Sequence, residues 1–192
     1  LLMDTNDAAC RSIYDITVFG EILIDFTSQR LNEDGQMLYA RNPGGAPANV
    51  AVASSRLGAH TAFIGKAGED MHGEFLRSVL QKENVDTRGM LLDKKYFTTL
   101  AFVEVNESGE RTFSFARKPG ADTQIQKEEL DVDILDQTNI FHIGSLSLTD
   151  QPARDTAAIT TAAKTAVNFF NFIKYTSPFK FFITCRFYSI IT

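Results

Sequence analysis

The sequence predicts an α/β fold in which helices flank a parallel sheet and a few antiparallel strands form a flap over a ligand site. Between residues 15 and 165, apolar strand-like runs alternate with helical segments, which is typical of βαβ units and a parallel sheet. Two extended segments interrupt this alternation, and polar turns that contain glycine accompany them, as in β-hairpins.

Composition limits the classes of protein to consider. The chain has 192 residues, 44% hydrophobic and 22% charged, which is ordinary for a soluble globular protein with one buried core. Its formal net charge is -5, and no run of Lys or Arg forms a basic stripe, so nucleic acid is not an expected partner. Cys10 and Cys185 match neither a metal-binding spacing nor a disulfide framework. Residues 1–12 lack the apolar core of a signal peptide, so a cytoplasmic location is expected.

The first elements follow from periodicity and from helix boundary residues. Residues 15–26 are mostly β-branched and apolar, which predicts one strand buried on both faces. A helix is predicted to begin near Pro47 and to end at Gly58, and residues 61–65 form the next strand. The acidic pair Glu69-Asp70 opens a second amphipathic helix, where helix-end electrostatics explain both side chains.

The interrupting segments come next. A hairpin is predicted over residues 98–106 and 111–117, which a short polar turn with glycine connects. A further extended segment is predicted at residues 36–41. Three phenylalanines alternate with polar residues in the hairpin and either line the inner face of the flap or pack in the ordinary way; they are Phe102, Phe113 and Phe115. The parallel pattern resumes with a strand at residues 140–144 and a helix from about residue 151. His142 lies inside that apolar strand and is assigned no catalytic role.

The glycine pair Gly44-Gly45 is the most informative feature for function. It ends an extended run and opens a helix, an arrangement that lets a ligand approach bare backbone and the amides of a helix N-terminus. The sequence therefore predicts a site for a small polar ligand.

Three segments resemble the ribokinase-like (PfkB) carbohydrate kinases, and among these the fructokinases most closely. They are Gly20 to Phe26, the motif from Gly44 through Asn49 to Gly58 and Gly68, and Arg117 to Asp122. The resemblance implies a ribokinase-like three-layer α/β/α sandwich with a small antiparallel β lid, whose strands span about 27–41 and 97–117. It divides the chain into an N-terminal extension (1–14), the N-terminal part of the kinase domain (15–165) and a divergent Phe-rich tail (166–192).

The resemblance also implies a sugar site. It assigns sugar binding to Asp25, Gly44, Gly45, Ala46 and Asn49, with Arg117 reaching in from the lid. Carboxylate, amide and backbone N–H groups suit an uncharged polyol. From the residues alone, Asp25 is equally compatible with a solvated carboxylate at a strand end, and Arg117 with a solvated strand edge.

The implied reaction is ATP-dependent phosphorylation of a sugar, most closely fructose to fructose 6-phosphate. ATP and Mg²⁺ are expected for the intact family member, in which the catalytic base and nucleotide site lie in a C-terminal signature rich in Asp, Thr and Gly. Here no Asp or Glu follows Asp155 and no Gly follows Gly144, so no catalytic residue and no nucleotide site is assigned. The tail is interpreted as a frameshift, an unspliced intron or a faulty gene model, and the product as a truncated kinase.

Two other hypotheses stay open. The chain is a catalytically inactive remnant that at most binds sugar, or it is a nucleotide-binding domain, although neither a Gly-x-Gly-x-x-Gly motif after a strand nor a P-loop occurs. Basic residues and Pro178 interrupt the apolar tail, so no membrane association is expected. Dimerisation of relatives through the lid strands makes a homodimer a further expectation.

Overall fold

The computed structural model of the chain describes residues 13–105, 108 and 110–174. Both cysteines, most of the predicted N-terminal extension and residues 175–192 of the predicted tail lie outside the described residues. Within the described range, the chain forms two four-stranded sheets and four α-helices. The sheets correspond to the predicted parallel sheet and the predicted lid.

The parallel sheet has the strand order β5-β4-β1-β8. Its strands are β1 (Tyr14–Phe19), β4 (Thr61–Gly68), β5 (Met90–Asp93) and β8 (Thr138–Ile143). In the centre of the sheet, Ile16 of β1 pairs with Thr61 on one side and with Ile140 on the other. The short strand β5 was not predicted from the sequence.

Helices cover both faces of this sheet and complete three layers. The helices are α1 (Ala46–Arg56), α2 (Met71–Lys82), α3 (Val132–Asp136) and α4 (Ala153–Lys174). Phe63 of β4 packs in the core that α1 and α2 share, whereas the next residue, Ile64, packs in the core of α3 and α4. Both side chains are fully buried. The predicted α/β/α sandwich is therefore confirmed.

The lid sheet has the order β3-β2-β6-β7. Its strands are β2 (Leu23–Leu31), β3 (Met37–Gly44), β6 (Leu100–Val105) and β7 (Arg111–Ala116). The β6–β7 hairpin is antiparallel as expected and β2 also pairs antiparallel with β3, but β2 and β6 pair in parallel, so the lid sheet is mixed rather than wholly antiparallel. β2 follows β1 and β6 follows β5, and both β1 and β5 belong to the parallel sheet. The two lid strands therefore enter the lid in the same direction, which explains why they pair in parallel.

The predicted single strand over residues 15–26 is divided between the two sheets. The break falls at residues 20–22, where Gly20 has a φ of 155°. A side chain at this position would overlap the ring of Pro47 at the start of α1. Close packing of α1 against the connection between β1 and β2 therefore separates the parallel sheet from the lid.

Asp70 joins helix α2 to the lid. As the N-cap of α2, its Oδ1 accepts hydrogen bonds from the amides of His72 and Gly73, both at 2.9 Å. The same carboxylate accepts from the Thr98 amide at 2.9 Å and the Thr98 hydroxyl at 2.8 Å. Burial acts to raise the pKa of Asp70, but these hydrogen bonds prevail and lower it. Asp70 thus does more than the predicted helix-end electrostatics, because it also holds the chain just before β6.

Helix α2 also contacts one face of the lid sheet directly. Phe26 of β2 meets His72 edge to face, with ring centroids 5.7 Å apart. The guanidinium of Arg41 in β3 lies 4.1 Å from the centre of the Phe75 ring. The opposite face of the lid sheet is left for the site described below. Among the described helices, none combines the length and apolar character that a bilayer crossing requires.

Candidate functional site

The glycine pair forms the turn that connects β3 to α1. Gly45 has a φ of 106°, and a Cβ atom there would lie 2.5 Å from the backbone oxygen of Glu21. Gly44 is buried, and a Cβ atom on it would overlap the carboxylate of Asp25. Only glycine allows this backbone to approach both acidic residues so closely.

Asp25 lies in the lid sheet and not, as predicted, at the carboxyl end of a strand of the parallel sheet. It pairs with Asn42 of β3 on one side and Ala101 of β6 on the other. Its side chain is half-buried, and burial raises the pKa of the carboxyl. Within the described part of the chain, no donor forms a hydrogen bond with this carboxylate, which leaves its oxygens available to a ligand.

A cavity of about 180 Å³ adjoins Asp25 on the face of the lid sheet that points away from α2. Thr27, Val103 and Phe113 occupy successive strands in matched register, and they line the cavity with Asp25 and Arg111. These additional lining residues were not predicted, because cross-strand register is not encoded in any local pattern.

The register also separates the three phenylalanines of the lid hairpin. Phe113 and Phe115 pair with Val103 and Ala101, so they share the cavity side of the sheet, as the inner-face hypothesis requires. Phe102 points to the other side, where it stacks on Phe26 at 5.4 Å. The hypothesis is therefore wrong for Phe102, because adjacent residues of a strand face opposite ways.

Arg117 follows β7 and is tied to Asp122. Its Nε and Nη2 atoms donate to Asp122 Oδ2 at 2.9 and 2.7 Å, and its Nη1 lies 3.4 Å from Asp150 Oδ2. The other oxygen of Asp122 accepts a hydrogen bond of 2.5 Å from the Thr99 hydroxyl. The Arg117 side chain is 13% exposed and that of Asp122 only 1%, so this is a buried ion pair rather than the solvated arginine considered as an alternative.

Glu21 was missed by the sequence reasoning and lies at the centre of the cluster. It is 4% exposed, and its Oε2 has no hydrogen-bond partner among the described residues. Burial raises the pKa of Glu21 to about 7 and nearby Asp122 acts in the same direction, while the amides of Glu21 and Ala46 and the charge of Arg117 oppose the rise. The signal that could have revealed it is a charged residue directly after Gly20, in the same run that carries Asp25.

The structure therefore brings most of the predicted residues together. Gly44 touches Asp25, Gly45 touches Glu21, and the Ala46 amide acts on the Glu21 carboxyl. Arg117 reaches the cluster through its charge on Glu21. Asn49 is exposed in the first turn of α1, and its sugar-binding role stays a prediction.

A second, larger groove of about 400 Å³ lies elsewhere. It is lined by residues at the amino ends of β1 and β4, including Tyr14, His60, Thr61 and Asp86. Ligands of open α/β sheets bind beyond the carboxyl ends of the strands. The chain enters the lid strand β2 directly from the carboxyl end of β1, so we place the candidate site at Asp25 despite its smaller cavity. In the part of the chain that the structure describes, no group of three or more His, Cys, Asp or Glu side chains could hold a metal ion.

Comparisons with known proteins show which family the chain resembles. The model of the pfkB family carbohydrate kinases matches residues 14–180. The chain is 43% identical over 164 residues to a probable chloroplastic fructokinase-6 of Arabidopsis thaliana and 44% identical over 156 residues to fructokinase-2 of Oryza sativa. These alignments cover 84% and 79% of the chain but 42% and 46% of the relatives, so the chain spans less than half their length.

Solved structures give the same result. A fructokinase from Xylella fastidiosa superposes with a TM-score of 0.75 at 38% identity over 79% of this chain and 47% of that protein. A Vibrio cholerae fructokinase double mutant, solved with fructose, ADP and potassium, superposes with a TM-score of 0.68 at 32% identity over 82% of this chain and 48% of that one. With a family match that extends over most of its length, the chain belongs to the pfkB family of carbohydrate kinases.

Proposed function

We propose that this chain forms the sugar-binding part of a fructokinase, an enzyme that transfers a phosphate group from ATP to fructose. The observation that carries the proposal is the half-buried carboxylate of Asp25, which lies between the glycine turn and the lid cavity without a donor among the described residues. A carboxylate in this state can accept hydrogen bonds from two neighbouring sugar hydroxyls. Sequence identity of 43% to a fructokinase supports fructose as the sugar.

The other groups of the site would orient the sugar. In this proposal, Asn49 and the amide of Gly45 bind sugar oxygens, and Arg117 donates a further hydrogen bond from the lid side. Phe113 covers the apolar part of the ring and keeps water from the reacting hydroxyl. Fixing that hydroxyl in one orientation removes part of the entropic barrier to phosphoryl transfer.

The phosphate donor follows from the relatives. Fructokinases of similar fold bind ATP or ADP, which supports ATP for the protein that contains this chain. We expect Mg²⁺ to neutralise the nucleotide charge there. A second candidate function is sugar binding without phosphoryl transfer, with which the coverage of less than half of the relatives' length is consistent.

One pair of measurements separates these two functions. Fructose is titrated into the purified chain by calorimetry, and fructose 6-phosphate is then assayed with the whole protein that contains this chain in the presence of fructose, ATP and Mg²⁺. Binding with product formation supports the kinase, and binding without product supports the second candidate. Asp25→Asn should weaken fructose binding about tenfold, since a hydrogen bond to a charged group is lost. Asp34→Asn, an exposed turn residue of the same lid sheet, is the matched control and should leave binding unchanged.

We also propose a homodimer that forms through the lid sheet. Its support is the exposure of large apolar side chains there, with Leu31 59%, Met37 45% and Leu38 41% exposed. Light scattering during size exclusion would reveal a dimer, and a monomer at all concentrations would contradict it. A cytoplasmic location is proposed as well, and a fluorescent fusion of the whole protein would test it.

A further inference from the structure

Asp122 connects both ends of the lid hairpin to the parallel-sheet body. It lies in a 3-10 turn (Ala121–Gln124) that packs against β4. Thr99, bound to its Oδ1, immediately precedes β6, and Arg117, bound to its Oδ2, immediately follows β7. A single buried carboxylate therefore holds the two points at which the chain enters and leaves the hairpin.

The hairpin held in this way supplies one wall of the cavity beside Asp25. Val103 of β6 and Phe113 of β7 line that cavity. A shift of either hairpin end would move this wall relative to Asp25, which sits on the neighbouring strand β2. The chain is packed tightly at this point, because a side chain at position 120 in place of Gly120 would overlap the hydroxyl of Thr99.

The same contacts set the direction of the Arg117 guanidinium. Asp122 binds Nε and Nη2, which form one edge of the rigid planar fork. Among the residues that the structure describes, the remaining nitrogen, Nη1, contacts Asp150 alone, at 3.4 Å, and the Asp150 side chain is 57% exposed. Nη1 therefore retains an N–H group that can donate a hydrogen bond to another oxygen.

We propose that Asp122 is a positioning residue of the sugar site: it locks the β6–β7 hairpin, which forms one wall of the cavity beside Asp25, and it fixes the orientation of the Arg117 guanidinium. This inference rests on the proposed sugar-binding function. Asp122 itself does not contact the sugar, because its carboxylate is buried and engaged by Thr99 and Arg117. Its effect on affinity passes through these two partners.

The test compares single and double variants of the full chain by calorimetric titration with fructose. Asp122→Asn and Arg117→Lys should each raise the Kd about tenfold, and the double variant should lose clearly less binding free energy than the sum of the two single losses. Thr99→Val should weaken fructose binding. Thr99→Ser, which keeps the hydroxyl, should bind fructose as tightly as the wild type. Glu83→Gln breaks the remote Arg56 ion pair and should leave the Kd unchanged. Additive losses in the double variant would overturn the proposal.

A spectroscopic measurement covers the case in which Asp122→Asn folds poorly, since removal of one partner leaves a buried charge unpaired. In the wild-type chain, the Arg117 Nε proton should exchange slowly with water and give a resolved NMR signal. Thr99→Val, which keeps the ion pair, should shift this signal and weaken fructose binding together. A shifted signal with unchanged Kd would overturn the positioning role.

The proposed function and this inference fail in different ways. Wild-type chain that binds no fructose would overturn the function and the role of Asp122 in it together. Fructose binding that Asp122→Asn leaves intact would overturn the role of Asp122 alone.

Discussion

Replacement of Glu21 by glutamine should remove a large pH dependence from the stability of this protein. Glutamine has nearly the same shape as glutamic acid but cannot ionise. The pKa of the Glu21 carboxyl is raised from 4.5 to about 7 by burial, with a smaller contribution from Asp122 in the same direction. At 4% exposure, solvent screens this side chain little.

The direction of this pH dependence follows from the proton that Glu21 binds in the folded and unfolded chain. Between pH 4.5 and about 7, the folded chain keeps the proton on Glu21 that the unfolded chain has released, so stability falls as the pH rises through this range. The stabilisation is complete below the unfolded pKa and is lost above the folded one. A rise of about 2.5 pKa units corresponds to about 3 kcal/mol in the free energy of unfolding. Between about pH 5 and about pH 8, about 2.5 kcal/mol of this should be seen.

The assay is urea unfolding of the wild-type chain and Glu21→Gln at these two pH values. The other carboxyl groups are common to both proteins, so their contributions cancel in the difference. We expect the variant to match the wild type at the lower pH and to exceed its free energy of unfolding at the higher pH. Parallel pH dependences in the two proteins would refute the reasoning, because Glu21 would then titrate normally.

Three further predictions concern stability and binding. Asp70→Asn should cost about 1–2 kcal/mol in urea unfolding, because it weakens both the α2 cap and the contacts with Thr98; an unchanged midpoint would contradict this. Gly45→Ala should cost about 1–3 kcal/mol and weaken fructose binding in calorimetry, because the backbone has a φ of 106°; wild-type affinity would exclude this role of the turn. Lys66→Met should cost about 3–5 kcal/mol in thermal unfolding, since it leaves its partners Asp93 and Glu129 uncompensated; a neutral effect would show that water compensates them.

The elements that the sequence predicted well are those set by local patterns. Helix α1 follows from Pro47 near its start and Gly58 just beyond its end, and the observed range Ala46–Arg56 agrees. The β6–β7 hairpin follows from a polar, glycine-containing turn between two extended runs. Their neighbours along the chain decide these structures, so the information is present in short segments.

Pairing between distant segments was not predictable in the same way. The division of residues 15–26 between two sheets depends on Pro47 of α1, which packs against Gly20. The position of Phe102 on the face opposite Phe113 depends on the register between β6 and β7. Neither contact is predictable from the sequence of the segment whose structure it determines.

The residues of the candidate site show the same difference between local patterns and contacts of distant segments. The glycine pair Gly44-Gly45 predicted a site for a small polar ligand by itself, whereas Asp25 and Arg117 were assigned through the resemblance to the carbohydrate kinases. The raised pKa of Glu21 and the binding of Arg117 to Asp122 emerged only once the chain was folded. The physical reason is desolvation: the energy of a carboxyl group depends on what surrounds it, and here those surroundings come from segments about one hundred residues apart.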